Sequence, residues 1–190
     1  MYSLFLDTHD KNVIIILFKD GKIVDEVNVE SPNKHSQIVM PSLKSLLDKN
    51  ALNVHDLNEV LVVNGPGSFT GERIAVTIAK TLAFTLNIPI KTIDSLKVIA
   101  INVDDEKKNV IIRDNKGAFV GIFDKNNNAQ EEYVYMSKTS LDDFISNNKV
   151  YEDIQIDYEK VYKVMQKIEP TKAHDVKPLY VKGISALNDK

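Results

Sequence analysis

The segment best equipped for chemistry is a glycine-rich loop at residues 64–71, which follows four apolar residues at 60–63. Its small and hydroxyl-bearing residues are Gly65, Gly67, Ser68, Thr70 and Gly71. Glycines let backbone N–H groups come close to an anion, and the N-terminus of a following helix favours negative charge. The pattern of strand, loop and helix predicts either a phosphate or nucleotide cradle or a tight turn that packs a helix on a sheet.

The loop departs from two familiar phosphate-binding signatures. A Walker A loop has Lys directly after its last glycine, whereas the first Lys beyond Gly71 is Lys80. The dinucleotide fingerprint Gly-x-Gly-x-x-Gly would need glycine where Thr70 stands, and Gly71 comes one residue late. Spacing alone therefore leaves both interpretations of the loop open.

Other catalytic and metal-binding patterns are sparse. The four histidines, His9, His35, His55 and His174, have neither His-x-x-x-His nor His-Glu-x-x-His spacing, so no zinc site on a helix face is predicted. The chain has no Cys, which excludes disulfides and thiolate catalysis. A Ser–His–Asp arrangement stays open, although no Gly-x-Ser-x-Gly elbow is present. We predict no catalytic residue and no metal site.

Composition sets the class of protein. A chain of 190 residues accommodates one domain or two small ones. Its net charge of −3 does not favour a broad nucleic-acid-binding face. No apolar run reaches the length of a membrane span, and the first residues lack the basic start and cleavage site of a signal peptide. A cytoplasmic protein without a membrane partner is the expectation.

The first hundred residues predict a β-rich unit with two long helices. Strands are predicted at 2–6, 13–18, 22–29 and 60–63, and helices at 35–50 and 71–86. Asp20-Gly21 is a turn signal that joins the second and third strands into a hairpin. Pro41 predicts either a kink in the first helix or a helix start nearer that residue.

The polar stretch 102–109 predicts a division into an N-terminal sub-domain at 1–102 and a smaller C-terminal α/β sub-domain at 103–190. Beyond it, strand-like runs lie at 110–113, 119–123 and 133–136, a hairpin tip at 125–128 and a helical stripe at 161–168. Thr139 or Ser140 is expected to cap a short helix. The sequence carries no internal repeat.

One stretch resembles a known family. Residues 64–74, Asn-Gly-Pro-Gly-Ser-Phe-Thr-Gly-Glu-Arg-Ile, resemble the signature Gly-Pro-Gly-Ser-Phe-Thr-Gly-Leu-Arg-Ile-Gly of the bacterial TsaB (YeaZ) family. Further matches follow in the family's order at residues 4–8, 35–41, 89 with 94–96, and 178–182. The resemblance is strong over residues 1–100 and patchy beyond them.

The resemblance implies an α/β fold of the actin-like ATPase (ribonuclease H-like) type, a mixed sheet flanked by helices, with two sub-domains of which the second is reduced. In nucleotide-binding relatives the first strand turn supplies a phosphate loop, which here would involve Asp7 and Thr8. His9 replaces the family's Ser, and Asp10 adds a negative charge that repels phosphate. The turn and the glycine loop are therefore expected to be vestigial. No cofactor is required, and ATP or ADP with Mg²⁺ is allowed only at the interface of a complex.

The implied function is tRNA modification. Members of the family pair with the catalytic subunit TsaD and, with the ATPase TsaE, help to install N6-threonylcarbamoyladenosine at position 37 of tRNA. The chain would be a non-catalytic scaffold, would form a homodimer when alone, and would contact tRNA mainly through the complex. Two alternatives stay open: an active nucleotide-dependent enzyme of the same fold, such as a weak ATPase or a kinase, and a protease-like hydrolase.

The resemblance also implies an interface, formed by the helices at 35–50 and 71–86. The second of these is apolar nearly all round, which is typical of a helix buried on two sides. The expected contact residues are His35, Val39, Leu43, Arg73, Val76, Ala79, Lys80 and Ala83. Glutamate at Val76 or Ala83 is expected to abolish partner binding and leave the fold largely intact. Burial of the helix within the monomer is the alternative.

Two charged residues begin the second helix. Glu72 stands where the family has Leu, at a helix end where the dipole favours a carboxylate. Arg73 is one of only two arginines, and the same dipole disfavours it. We therefore expect Arg73 to have a carboxylate or a backbone carbonyl as its partner.

Overall fold

A computed structural model describes residues 1–31 and 34–181 as two β-sheets with helices between and around them. The first sheet has the order β3-β2-β1-β4-β5 and comprises β1 (Tyr2–Asp7), β2 (Asn12–Lys19), β3 (Lys22–Glu30), β4 (Leu57–Val63) and β5 (Ile90–Ile93). Its helices are α1 (His35–Lys49), α2 (Phe69–Leu86) and α3 (Ser95–Ile101). Short 3-10 turns lie at Val54–Asp56 and Ala173–Asp175.

The second sheet has the order β8-β7-β6-β9. Its strands are β6 (Lys107–Arg113), β7 (Gly117–Asp124), β8 (Val134–Ser137) and β9 (Val150–Tyr151). Two helices also lie in this part of the chain, α4 (Lys138–Asn147) and α5 (Tyr158–Met165). In the first sheet β1 pairs antiparallel with β2 and parallel with β4. In the second sheet β6 likewise pairs antiparallel with β7 and parallel with β9.

The first sheet is covered on both faces. The central strand β1 is buried at nearly every position, as expected when both faces of the sheet are covered. Because successive side chains point to opposite faces, Leu4 and Leu6 pack with α1 and α2, whereas Phe5 packs with α5. The edge strand β3 instead carries mostly exposed residues.

Helix α3 lies between the two sheets. Its Val98 joins the core of the first sheet, and Leu96 and Ala100 join the core of the second. Helix α4 covers the other face of the second sheet through Leu141. The chain therefore stacks helices and sheets in alternating layers, with α3 shared by both halves.

The main predicted elements are confirmed with shifts of a few residues, and the prediction of an α/β fold with a mixed sheet holds. Helix α1 runs through Pro41, so the alternative start near that residue is wrong. Helix α4 begins at Lys138 with Ser137 as its N-cap, so the predicted cap at Thr139 or Ser140 is also wrong. The prediction omitted β5, α3 and β9, which are short and lack a long periodic pattern.

The C-terminal part of the chain returns to the first sheet. Val161, Tyr162 and Met165 of α5 pack against Phe5, Ile16 and Phe18. Val176 is buried in the cluster beneath α1 and α2. The division at 102/103 stays a prediction, and these contacts cross it. Within residues 1–31 and 34–181, none of the helices has the length and apolar content needed to cross a bilayer.

Candidate functional site

The glycine-rich loop lies at the carboxyl ends of the parallel strands β1 and β4, beside the β1–β2 turn. The Ser68 N–H donates to the His9 carbonyl at 2.6 Å. The buried Thr8 hydroxyl donates to the Gly71 carbonyl, also at 2.6 Å. The turn and the loop are therefore joined by one main-chain hydrogen bond and one bond from a side chain to the main chain.

The glycines make this close approach possible. A Cβ atom on Gly67 would overlap the carbonyl oxygen of His9, and one on Gly71 would overlap that of Thr8. Gly65 has a φ of +103°, a conformation that L side chains rarely adopt. The backbone that the loop approaches is the chain's own β1–β2 turn, which supports the tight-turn interpretation.

Glu72 fills the space behind the loop. Its side chain is only 3% exposed and lies against Gly65, where an added Cβ would meet the Glu72 carboxyl carbon at 2.5 Å. Burial raises the pKa of Glu72 to about 7, although the Gly67 N–H donates to the carboxylate and His9 and Arg73 contribute favourable charge. The sequence placed Glu72 at the helix terminus but did not predict that it would turn inward.

Asp7 and His9 form a pair in the turn. Asp7 Oδ1 lies 2.6 Å from His9 Nδ1 and also accepts the His9 backbone N–H at 3.0 Å. Burial lowers the pKa of His9, but the charge of Asp7, the hydrogen bond to it and the charges of Asp10 and Glu72 together raise it above its usual value. Three carboxyl groups therefore surround one imidazole at this turn.

A cleft of about 480 Å³ opens in front of the loop, between the two sheets. The turn, the loop, α1 and the start of α2 contribute His9, Asp10, Lys11, His35, Gly67, Ser68, Phe69 and Glu72 to its lining. The second sheet and the C-terminal segment contribute Ile112, Arg113, Asp114, Asn115, Phe119, Leu179, Tyr180 and Val181. Arg113 reaches the carboxylate of Glu152 through Nε at 2.6 Å and Nη2 at 3.1 Å.

The residues at the turn and loop do not fit the phosphates of a nucleotide. The N–H groups of Gly67, Ser68 and Gly71, which would cradle an anion, donate to Glu72, His9 and the Ser68 hydroxyl. Asp7 and Asp10 place negative charge on the same side, which opposes a phosphate. Thr70 is exposed in the first turn of α2. Among residues 1–31 and 34–181, no group of three or more acidic or His side chains is placed to hold a metal ion.

Most of the predicted interface side chains lie in the core of the single chain, which favours the alternative that the helix is buried within the monomer. His35, Val39, Leu43, Val76, Ala79 and Ala83 are all buried, with exposures between 0% and 7%. His35 Nε2 lies 2.8 Å from the Asp10 carbonyl, so it ties α1 to the β1–β2 turn. The small side chains of Ala75 and Ala79 bring α2 close to its own sheet. Glutamate at Val76 or Ala83 would therefore disrupt the fold, contrary to the expectation that it would be left largely intact.

The exposed face of α2 carries other residues. Its outward side chains are Arg73, Thr77, Thr81, Phe84 and Thr85, and Lys80 is half-buried beside them. Phe84 is 78% exposed. Sequence reasoning missed its exposure because an apolar pattern all round a helix does not say which residue points away from the sheet.

Arg73 contacts the C-terminal segment. Its Nε donates to the Tyr180 hydroxyl at 2.8 Å, and its guanidinium lies 3.8 Å from the centre of the Phe69 ring. Among residues 1–31 and 34–181, a phenol and an aromatic face take the place of the expected carboxylate or carbonyl partner. Lys80 Nζ donates to the His174 carbonyl at 3.2 Å on the same side of α2. Lys182, the last residue of the C-terminal family match, lies outside the described residues.

Known proteins are similar to this chain in sequence and in fold. The family model for TsaD, tRNA N6-adenosine threonylcarbamoyltransferase, matches residues 28–177. The chain is 39% identical over 102 residues to the tRNA threonylcarbamoyladenosine biosynthesis protein TsaB of Bacillus subtilis, a match that covers 54% of this chain and 44% of that protein. It is 30% identical over 100 residues to TsaB of Escherichia coli, covering 53% and 43% respectively.

A solved structure extends the similarity to the whole fold. YeaZ from Pseudomonas aeruginosa superposes with a TM-score of 0.75 at 18% identity, covering 94% of this chain and 99% of that one. The matched segment spans less than half the length of the curated relatives above. The family model nevertheless covers most of this chain. The chain therefore belongs to the tRNA N6-adenosine threonylcarbamoyltransferase family, and it resembles TsaB proteins in sequence and YeaZ in fold, as the sequence predicted.

Proposed function

We propose that this chain is a non-catalytic subunit of the assembly that installs N6-threonylcarbamoyladenosine at position 37 of tRNA. In this role it supports a TsaD-like catalytic subunit, acts alongside a TsaE-like ATPase and reaches tRNA mainly through the complex. Alone, it pairs with a second copy of itself. Family membership supports the pathway, and the geometry of the loop supports the scaffold role.

One observation supports the scaffold role above all: the chain's own atoms occupy the groups and the space that would bind phosphate. Glu72 occupies the back of the glycine loop, and the Ser68 N–H is bonded to the His9 carbonyl. An enzyme that bound ATP tightly here would need those N–H groups for phosphate and a less acidic turn. The loop instead braces the start of α2, the helix that presents Phe84.

The partner surface is revised accordingly. We place it on the outward face of α2, around Phe84, in place of the buried residues Val76 and Ala83. A large exposed aromatic side chain is the type of residue that dominates binding energy at protein interfaces. Arg73 and Lys80 stay within the proposed interface because their side chains lie on the same outward side.

Co-purification with a TsaD-like partner tests this surface. Phe84→Glu should weaken binding at least about tenfold, because it places a charge at an apolar contact while the monomer stays folded. Val134→Glu is the matched control, since Val134 is a 45% exposed apolar residue on β8 of the second sheet. Equal recovery of the partner with both variants would contradict the proposed surface.

Depletion of the protein tests the pathway itself. The fraction of adenosine 37 that carries the threonylcarbamoyl group in bulk tRNA should fall and should return with the unmodified chain. Unchanged modification after depletion would contradict the proposed function.

An active nucleotide-dependent enzyme is the second candidate, and the cleft of about 480 Å³ beside the loop favours it. Nucleotide binding and ATP hydrolysis by the isolated chain separate the two candidates. Turnover that is lost with Ser68→Ala, in a variant that still folds, would favour the enzyme. Absence of turnover in the isolated chain is the result expected for a scaffold.

A further inference from the structure

The C-terminal segment at residues 171–181, here called the strap, crosses the molecule from one sheet to the other. It begins at the edge of the first sheet, where the Thr171 N–H donates to the Ile90 carbonyl at 2.9 Å. It then passes along α2 and over the glycine loop. It ends with Val181 packed against the core of the second sheet.

Few side chains of the strap are fully buried, although hydrogen bonds hold it along its length. Val176, 3% exposed, is the one buried residue between positions 171 and 181. Asn64 makes two hydrogen bonds to it, donating from Nδ2 to the Lys177 carbonyl at 3.2 Å and accepting the Leu179 N–H at 2.7 Å. The remaining side chains of the strap are exposed or half-buried.

Arg73 and Phe69 hold Tyr180 of the strap, an arrangement here called the clasp. The Tyr180 ring lies 5.5 Å from that of Phe69, and its hydroxyl accepts the Arg73 Nε–H at 2.8 Å. Stacking of a guanidinium on an aromatic ring adds to such a bond. Leu179 and Tyr180 also form part of the wall of the cleft. The strap, the clasp and the cleft are thus parts of one arrangement.

We propose that the strap opens as a unit while both sheets stay folded. Its opening removes part of the wall of the cleft between the sheets and exposes the cleft to solvent. Local opening requires less free energy than global unfolding where few apolar side chains are buried, as between residues 171 and 181. The clasp of Arg73, Phe69 and Tyr180 sets how often the strap opens. This device stands independently of the proposed function.

Thiol reactivity tests the proposal, because the natural chain has no Cys and a single introduced thiol is the only one present. Val176→Cys places a thiol beneath the strap, and Ala83→Cys places one on α2 in the same buried cluster. If the strap opens locally, the thiol at 176 should react at least about 100-fold faster than that at 83 at matched global stability. Equal rates would overturn the proposal, since both thiols would then react only through global unfolding.

The clasp is tested by two matched changes in the Val176→Cys background. Arg73→Lys removes the planar guanidinium and its Nε donor, and should accelerate the thiol reaction about five- to tenfold. Arg113→Lys alters the other arginine, which pairs with Glu152 on the second sheet, and should leave the rate unchanged. No effect of Arg73→Lys, or the same effect from both variants, would overturn the role of the clasp.

Amide exchange in the unmodified protein keeps the test independent of the cysteine variants. The Leu179 N–H, bonded to Asn64, should exchange through local opening, whereas the Val60 N–H, bonded to the Pro89 carbonyl, should exchange only near the global limit. Equal protection of the two amides would overturn the proposal.

Discussion

The two halves of this chain repeat one pattern of connections with different contents. In each half, three antiparallel strands precede a helix and a fourth strand that pairs parallel with the first, as in β3-β2-β1-β4 and β8-β7-β6-β9. Strand β4 has seven residues, whereas β9 has two. The fourth strand leads into the glycine loop in the first half, and into Glu152 and Asp153 in the second.

The helices that follow these fourth strands also differ. Helix α2 packs on its own sheet, with Ala75, Val76 and Ala79 in the core beside β4. Helix α5 instead packs on the first sheet, through Val161 and Met165. A two-residue strand offers little surface to a helix, so α5 finds its apolar partner in the larger half. The two halves therefore share a topology, but the loop and the helix packing that follow the fourth strand differ between them.

The largest effect on stability is expected from a substitution in the glycine loop of the first half. Gly71→Ala places a Cβ atom against the Thr8 carbonyl, which is backbone and cannot move aside. We expect a loss of roughly 3 kcal/mol or more in the free energy of unfolding, measured by urea denaturation. Thr70→Ala, at an exposed site in the same helical turn, should change it by less than about 0.5 kcal/mol. A Gly71→Ala variant as stable as the parent would contradict the close approach.

A smaller effect on stability is expected for Glu72, which lies beyond β4, and it is compared with that of Glu152, which follows β9. The pKa of Glu72 is raised from 4.5 to about 7 by burial, so the folded protein binds more protons than the unfolded chain between these values. Stability should therefore fall as pH rises through that window. Glu72→Gln removes this dependence and should stabilise the protein by roughly 2 kcal/mol at pH 8, and by much less near pH 4.5.

The raised pKa of His9 has the same sign, because stability from its protonated form is lost as pH rises through that pKa. Glu152→Gln is the control for Glu72→Gln, since Glu152 is half-buried and paired with Arg113. Unfolding curves at pH 5 and pH 8 provide the measurement. Parallel pH profiles for the parent and the Glu72→Gln variant would show that Glu72 does not hold the buried carboxyl proton.

The smallest effect lies in the second half. Arg113 pairs with Glu152 at the surface, where their side chains are 48% and 32% exposed. Water and salt screen such a pair, so Arg113→Lys should lower the free energy of unfolding by less than about 1 kcal/mol. Repeating the measurement at high salt should remove most of the difference. A loss as large as that of Gly71→Ala would mean that this pair stabilises the second half far more than its exposure indicates.

Local signals in the sequence are sufficient to predict the main elements and the family. Apolar periodicity places α1 and α2, and the Asp20-Gly21 turn joins β2 to β3, because these signals act over a few neighbouring residues. The literal string at 64–74 identifies the family for the same reason, since it is local. Elements as short as β9 contain too few residues to show a periodic pattern.

The contacts of the site residues, in contrast, depend on how the whole chain folds. The glycine loop meets the β1–β2 turn, Glu72 turns inward, and Arg73 reaches Tyr180 from 107 positions away. The repeated topology of the two sheets likewise leaves no trace as a sequence repeat. Which face of α2 is buried, and which leaves Phe84 exposed, depends on the sheet beneath it. These outcomes are set by contacts between segments distant in the chain, which residue types and spacing do not encode locally.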